Sequence, residues 1–360
     1  MKFRPPISVA YKNAYGDFCS HENSHVPELI ANGWRLAEAL NQKTILWAPF
    51  SFLSRTKIRA GVFFESPKED DPDLLWCRQQ SVPTLLVITE NMFLQPHLSY
   101  ERVKPWFDRI LTYWDLEVDG DRVGFLPYAL DLERGLKFLS TLDDSPRPLL
   151  LGMVSSWKKS SMPGDLYAKR NRLAIGAAKI LGGKMAIWGP GWKHFDVFPK
   201  KWQRTIAKRS RFFSRLLFGW PNRSVRGPLP GGEEVKWGAL AQCDFCLCME
   251  NNRELSGYIT EKIFNTIFAG CVPCYQGDPG AVRWIPADTF VSMEEIETGA
   301  ELVRRLRAIS PEEVRGYRER ARRFLESPQA RIFDSTAWVA KVAGAVEDLL
   351  EKRAGRAFGG

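Results

Sequence analysis

Residues 245–279 constrain the fold of this chain more than any other stretch. Phe245–Met249 is an apolar run with no breaker, the pattern of a strand buried on both faces of a parallel sheet. Glu250–Gly257 is polar and turn-forming. Ile259–Ala269 then carries Ile259, Ile263, Ile267 and Phe268 at helical spacing, and Gly270 stops the helix. Cys271–Gln276 reads as a second buried strand. Strand, loop, helix and strand in that order make a unit whose helix N-terminus offers unpaired N–H groups to a phosphate. Glu261 and Lys262 fall in the first turn of that helix, where both can face a nucleotide diphosphate and its ribose.

The rest of the chain repeats the alternation. Ile7–Tyr11, Thr44–Ala48, Gly61–Glu65, Thr84–Thr89 and Arg109–Tyr113 read as five short buried strands, separated by helical patterns at Pro27–Leu40 and Asp73–Gln80. The turn-rich stretch Asp143–Pro148 is a plausible linker. A second series follows, with strands at Leu149–Val154 and Lys184–Trp188 and helices near Tyr167–Leu181 and Glu233–Ala241. Leu302–Leu306, Pro311–Leu325 and the terminal Thr336–Lys352 are helical. With 360 residues, 44% of them hydrophobic, the chain is long enough for two α/β domains with full cores.

Several fixed residue types at near-fixed spacing resemble the donor-binding signature of the α1,3-fucosyltransferases, glycosyltransferase family 10. They are Met249-Glu250-Asn251-Asn252, Tyr258-Ile259-Thr260-Glu261-Lys262 and Gly270–Pro279. The family pattern has Phe where this chain has Met249 and Ser where it has Asn252. The resemblance is strongest over 228–292, recognisable from about 83, and weak before Pro83. It implies the GT-B architecture, two Rossmann-like domains facing a cleft, with the C-terminal helix crossing back to the N-terminal domain. The expected division is 1–145 with 330–360 for the acceptor and 146–329 for the GDP-sugar.

The implied activity is transfer of L-fucose from GDP-fucose to an oligosaccharide or glycolipid hydroxyl, in α1,3 or α1,4 linkage, with inversion. Such a reaction needs a base for the acceptor hydroxyl and cations for the departing diphosphate. Glu90 lies at the carboxyl end of an apolar strand, and by resemblance it is the general base. Lys262 and Arg170 are the cations, with Arg172 as the fallback for the second, since the family's Arg-x-x-aromatic helix has Leu173 in place of the aromatic. Glu250, Asn251, Tyr258, Thr260 and Glu261 complete the implied donor set. Asn251 and Tyr258 orient the sugar or a phosphate, and Glu261 takes ribose or fucose hydroxyls. His21, His25 and Asn91 are candidates for the acceptor side. With two cations and a helix N-terminus, neither a divalent metal nor a cofactor is expected.

Other patterns have blander readings. Cys243-x-x-Cys246 and Cys271-x-x-Cys274 mimic a zinc knuckle, yet they alternate with apolar residues along two strands and read better as small buried hydrophobes. His21-Glu22-Asn23-Ser24-His25 fits H-E-x-x-H, but Pro27 follows at once and the segment reads as a loop. Trp188-Gly189-Pro190-Gly191-Trp192 is either a plain tight turn or a glycine-rich loop beside the donor.

The net charge of +9 sits wholly in 193–226, where ten Lys or Arg face one acid, Asp196. Drawn as a helix, 199–218 is basic on one side and apolar on the other; it suits either an anionic membrane surface or docking on the protein body. No base-reading motif accompanies it, so nucleic acid is not an expected partner. No export signal or run long enough to span a bilayer is found, which points to a cytoplasmic chain, at most peripheral at the inner face of a bacterial membrane. Alternatives are another nucleotide-sugar donor on the same fold, or a non-catalytic protein binding glycans or membrane surfaces.

Overall fold

A computed structural model describes residues 7–13, 27–89, 100–192 and 224–358. His21, His25, Glu90, Asn91 and the basic segment 199–218 lie outside the described residues. The chain forms two compact units. One comprises Met1–Leu132, Leu255–Tyr258 and Arg331–Gly360; the other comprises Glu133–Glu254 and Ile259–Ala330.

The first unit holds a six-stranded sheet of β1 (Ile7–Asn13), β2 (Ile45–Pro49), β3 (Ile58–Phe64), β4 (Thr84–Ile88), β5 (Arg109–Thr112) and β6 (Val123–Phe125). The order is β2-β1-β3-β4-β5-β6 and every pairing is parallel. Parallel sheets need cover on both faces, and β4, Thr-Leu-Leu-Val-Ile, is buried at every position. Helices α1 (Pro27–Gln42), α2 (Pro72–Gln79) and the short α3 (Tyr100–Val103) belong to this unit. Asp71 caps α2 by accepting from the N–H groups of Asp73 and Leu74, and Pro72 fills the first helical position.

In the second unit, α4 (Leu132–Ser140) and α5 (Tyr167–Leu181) flank β7 (Leu149–Val154). Then come β8 (Met185–Trp188), β9 (Val225–Gly227), α6 (Glu233–Leu240), β10 (Cys243–Met249), α7 (Glu261–Phe268), β11 (Val272–Gln276) and β12 (Val291–Ser292). Helices α8 (Gly299–Arg307) and α9 (Pro311–Glu326) follow. The sheet runs β12-β11-β10-β7-β8-β9, again all parallel. The terminal helix α10 (Ser335–Phe358) returns to the first unit, as expected. It buries Trp338, Val342 and Val346 among Val9, Val62 and Leu85 of that sheet.

Two features depart from the expected boundaries. The division falls after Leu132 rather than at 145, because α4 goes with the second unit, where Phe138 packs on Trp237 at 5.3 Å between ring centroids. This short helix carries Gly135 inside it, which weakens the sequence signal for a helix. The second departure is Leu255–Tyr258, which goes with the first unit. Leu255 and Tyr258 are buried in its core, and the Tyr258 ring lies 5.0 Å from that of Tyr113. Gly257 makes this possible: its φ is +80°, and a Cβ there would stand 2.1 Å from the Tyr113 carbonyl oxygen.

Candidate active site

In the second unit β7 is the first strand; the chain then builds outward through β8 and β9, and returns to lay β10 on the other side of β7. The strand order therefore reverses between β7 and β10, the place where open α/β sheets bind ligands at their carboxyl ends. A cavity of about 390 Å³ lies there, walled by Val154–Ser156 after β7, Gly189 and Pro190 after β8, Met249 and Asn251 at the end of β10, and the first turn of α7. Arg170, Lys262, Glu261 and Asn251 all line it.

Glu250 sits beneath this wall with no exposed surface. Its Oε1 accepts from the Thr260 N–H at 2.8 Å, and its Oε2 accepts from the Thr260 hydroxyl at 2.8 Å and from Lys262 Nζ at 3.1 Å. Lys262 also donates to Thr260 Oγ1 at 2.8 Å. A buried carboxylate held this way fixes a lysine that would otherwise be free to sweep. Burial by itself lowers the Lys262 pKa, but Glu250 and Glu261 outweigh it and raise it above the ordinary lysine value. Burial likewise works to raise Glu261, and Lys262 and Lys236 more than offset it, so that carboxyl ends below its usual range. Both groups are ionised at neutral pH.

Arg170 enters from α5 and is 2% exposed. Its Nη2 donates to the Ser156 carbonyl at 3.4 Å, its guanidinium lies 4.9 Å from the Tyr167 ring, and its Nε has no hydrogen-bond partner. Burial pushes its pKa down to about 10, against weaker upward pulls from Tyr167 and Glu250, and it remains a cation at neutral pH. Arg172 is turned roughly 200° away around α5. It pairs with the exposed Glu297 at 2.5 Å and does not line the cavity.

Of the other expected donor residues, Thr260 and Glu250 act beneath Lys262, and Tyr258 is not at the cavity but in the first unit's core. Met249 is 1% exposed and belongs to the second unit's core. Asn252 bridges two loops: its Nδ2 donates to the Pro163 carbonyl at 2.7 Å and its Oδ1 accepts from the Glu254 N–H at 2.7 Å. A serine has one hydroxyl hydrogen and a shorter reach, so the amide ties down the turn ahead of α5 in a way serine cannot. Two cations at the cavity escaped the sequence reading, Lys158 and Lys236. Lys158 follows a strand end, and that position was the available signal; Lys236 on α6 reads like any solvated helical lysine.

The Trp188–Trp192 turn does border the cavity. Ser155 O accepts from Trp192 Nε1 at 2.6 Å, and Gly189, with φ at +140°, would bring a Cβ to 2.2 Å from the same oxygen. Gly189→Ala is expected to displace the Ser155–Ser156 wall, lowering stability by about 1–3 kcal/mol in urea unfolding and weakening nucleotide binding in a titration. Unchanged values on both would mean that the wall tolerates the shift.

The paired cysteines are buried free thiols. Burial pushes Cys246, Cys248, Cys271 and Cys274 well above the ordinary thiol value, and Cys271 Sγ donates to the Cys243 carbonyl at 3.0 Å. Among the described residues no group of three His, Cys, Asp or Glu is placed to hold a metal ion. Among them, too, no helix is long and apolar enough to cross a membrane.

Residues 230–322 match the family model of the glycosyltransferase family 10 (fucosyltransferase) C-terminal region. Over 72 residues, 19% of this chain, the sequence is 35% identical to the human 4-galactosyl-N-acetylglucosaminide 3-alpha-L-fucosyltransferase 9. Over 80 residues, 22% of the chain, it is 32% identical to the Helicobacter pylori alpha-(1,3)-fucosyltransferase FucT. The matches span 20% and 16% of the length of these relatives. An α1,3-fucosyltransferase crystal structure with GDP superposes with a TM-score of 0.53 at 16% identity, covering 97% of this chain and 92% of that one. A structure of such an enzyme with GDP-fucose gives 0.51 at 17% identity, covering 89% and 82%. The fold is that of the GT-B glycosyltransferases.

Proposed function

We propose that this chain, whose residues 230–322 match the glycosyltransferase family 10 model, is a GDP-fucose-dependent fucosyltransferase acting on a galactosyl-N-acetylglucosamine type of glycan. The observation that carries the reading is the cluster at the strand-order reversal. Lys262 is pinned by Glu250 and Thr260 at a helix N-terminus, across a cavity from a buried Arg170 whose Nε is unpartnered. A helix N-terminus and two fixed cations are complementary to a sugar diphosphate and more so to the diphosphate as it leaves.

In the proposed reaction the acceptor hydroxyl oxygen forms a bond to fucose C1 while the C1–O bond to the diphosphate breaks, its electron pair leaving on GDP. Glu90 takes the hydroxyl proton, and attack from the face opposite the diphosphate inverts C1. The cations of the cavity neutralise the leaving group, so no divalent metal is required. Glu261 accepts from ribose or fucose hydroxyls, and Asn251 donates to the sugar diphosphate.

The test is transfer from labelled GDP-fucose, GDP-mannose and UDP-galactose to galactosyl-N-acetylglucosamine and a panel of other glycans, in chelator. The expected result is an α1,3-fucosylated product from GDP-fucose alone. Glu90→Gln should lower turnover about a hundredfold with GDP affinity unchanged. Transfer from a different donor, or GDP binding without transfer to any glycan, contradicts the reading.

A further inference from the structure

Counting charge at the cavity exposes a shortfall. Arg170 and Lys262 are the cations assigned by the motif, and Glu250 and Glu261 are in direct contact with Lys262, at 3.1 and 3.7 Å. Two positive and two negative groups cancel, so the motif residues by themselves present a neutral site to a dianionic sugar diphosphate. Lys158 and Lys236 are the other two cations lining the cavity. Adding them brings the site to +2, which matches the ligand.

From this balance we infer that Lys158 and Lys236 are diphosphate-binding residues of the donor site, and that they supply its net charge while Arg170 and Lys262 supply its geometry. The inference rests on the proposed use of a nucleoside diphosphate sugar. Each lysine is placed for the role. The Lys158 carbonyl accepts from Asn171 Nδ2 at 2.9 Å, which fixes its backbone on the wall that follows β7. Lys236 projects from α6 close enough to the first turn of α7 to help hold Glu261 ionised. A lysine makes a point-charge contact that tolerates more than one phosphate position. Such contacts suit a group that moves away as its bond to the sugar breaks.

The experiment is calorimetric titration of pyrophosphate, GDP and guanosine into the full chain and into Lys158→Met, Lys236→Met and the double variant. Pyrophosphate and GDP affinity should fall about tenfold for each lysine and about a hundredfold for both, with guanosine binding unchanged. The unchanged guanosine signal also shows that the variants are folded. Three results overturn the inference: a double variant that binds pyrophosphate like the parent, a parent that binds none, or guanosine affinity that falls in step with pyrophosphate. A parent that binds pyrophosphate but not GDP removes the donor assignment alone, and the two lysines are then still judged by the pyrophosphate titrations.

Discussion

Replacing Lys262 with methionine is expected to damage folding and catalysis together, and the two effects can be separated. Glu250 has no exposed surface, so removing Lys262 leaves a buried charge that keeps its hydrogen bonds from Thr260 but has lost its ion pair. Breaking a buried pair from one side typically costs about 3–5 kcal/mol, and the lower end applies because Lys262 itself is one-fifth exposed and water can partly replace it. Since its partners raise the Lys262 pKa, this contribution is whole below the ordinary value of 10.5 and fades only as pH climbs through the raised one. Transfer should fall about a thousandfold as the departing diphosphate loses its best-fixed cation. Adding Glu250→Gln should restore most of the lost stability, because the amide oxygen still accepts from Thr260 and no charge is stranded. It should restore none of the activity. Urea unfolding and kcat/KM on the single and double variants check both parts; a single variant as stable as the parent would contradict the pairing.

Arg170→Lys is expected to lower kcat/KM about a hundredfold while leaving the fold intact. The burial that takes the guanidinium to about 10 acts on an ammonium from a lower starting value, so lysine there is less firmly charged. It also lacks the planar fork that can hold two phosphate oxygens and lie against Tyr167. Because the grip matters most as charge builds on the diphosphate, the loss should be larger in kcat than in KM. Full activity in this variant would place the second cation elsewhere, with Arg172 excluded as the substitute by its pairing to Glu297.

Much of the second unit was legible because its signals are local. The apolar run of β10, the helical spacing of α7 and the stop at Gly270 each depend on neighbouring residues only. Arg170 rather than Arg172 rests on the family's Arg-x-x-aromatic pattern; drawing α5 as a helix says only that the two side chains point in nearly opposite directions, not which of them faces the cavity. Tyr258 was not legible: its burial depends on Tyr113, from a distant part of the chain, and on a glycine whose positive φ no spacing rule announces. Nor was the reach of Lys236, which on sequence is one more polar residue of a short helix. Asn252, a departure from the family pattern, gains its meaning only from the turn it holds, 163–165. Glu90 keeps the standing the sequence gives it, a carboxylate at a strand end.

The most direct measurement is a crystal structure of the protein with GDP-fucose, or with GDP after turnover. The account predicts both phosphates within hydrogen-bond distance of Arg170 and Lys262 Nζ, at the carboxyl ends of β7 and β10. Nucleotide bound away from that cavity, or a diphosphate turned from Lys262 toward solvent, would contradict it.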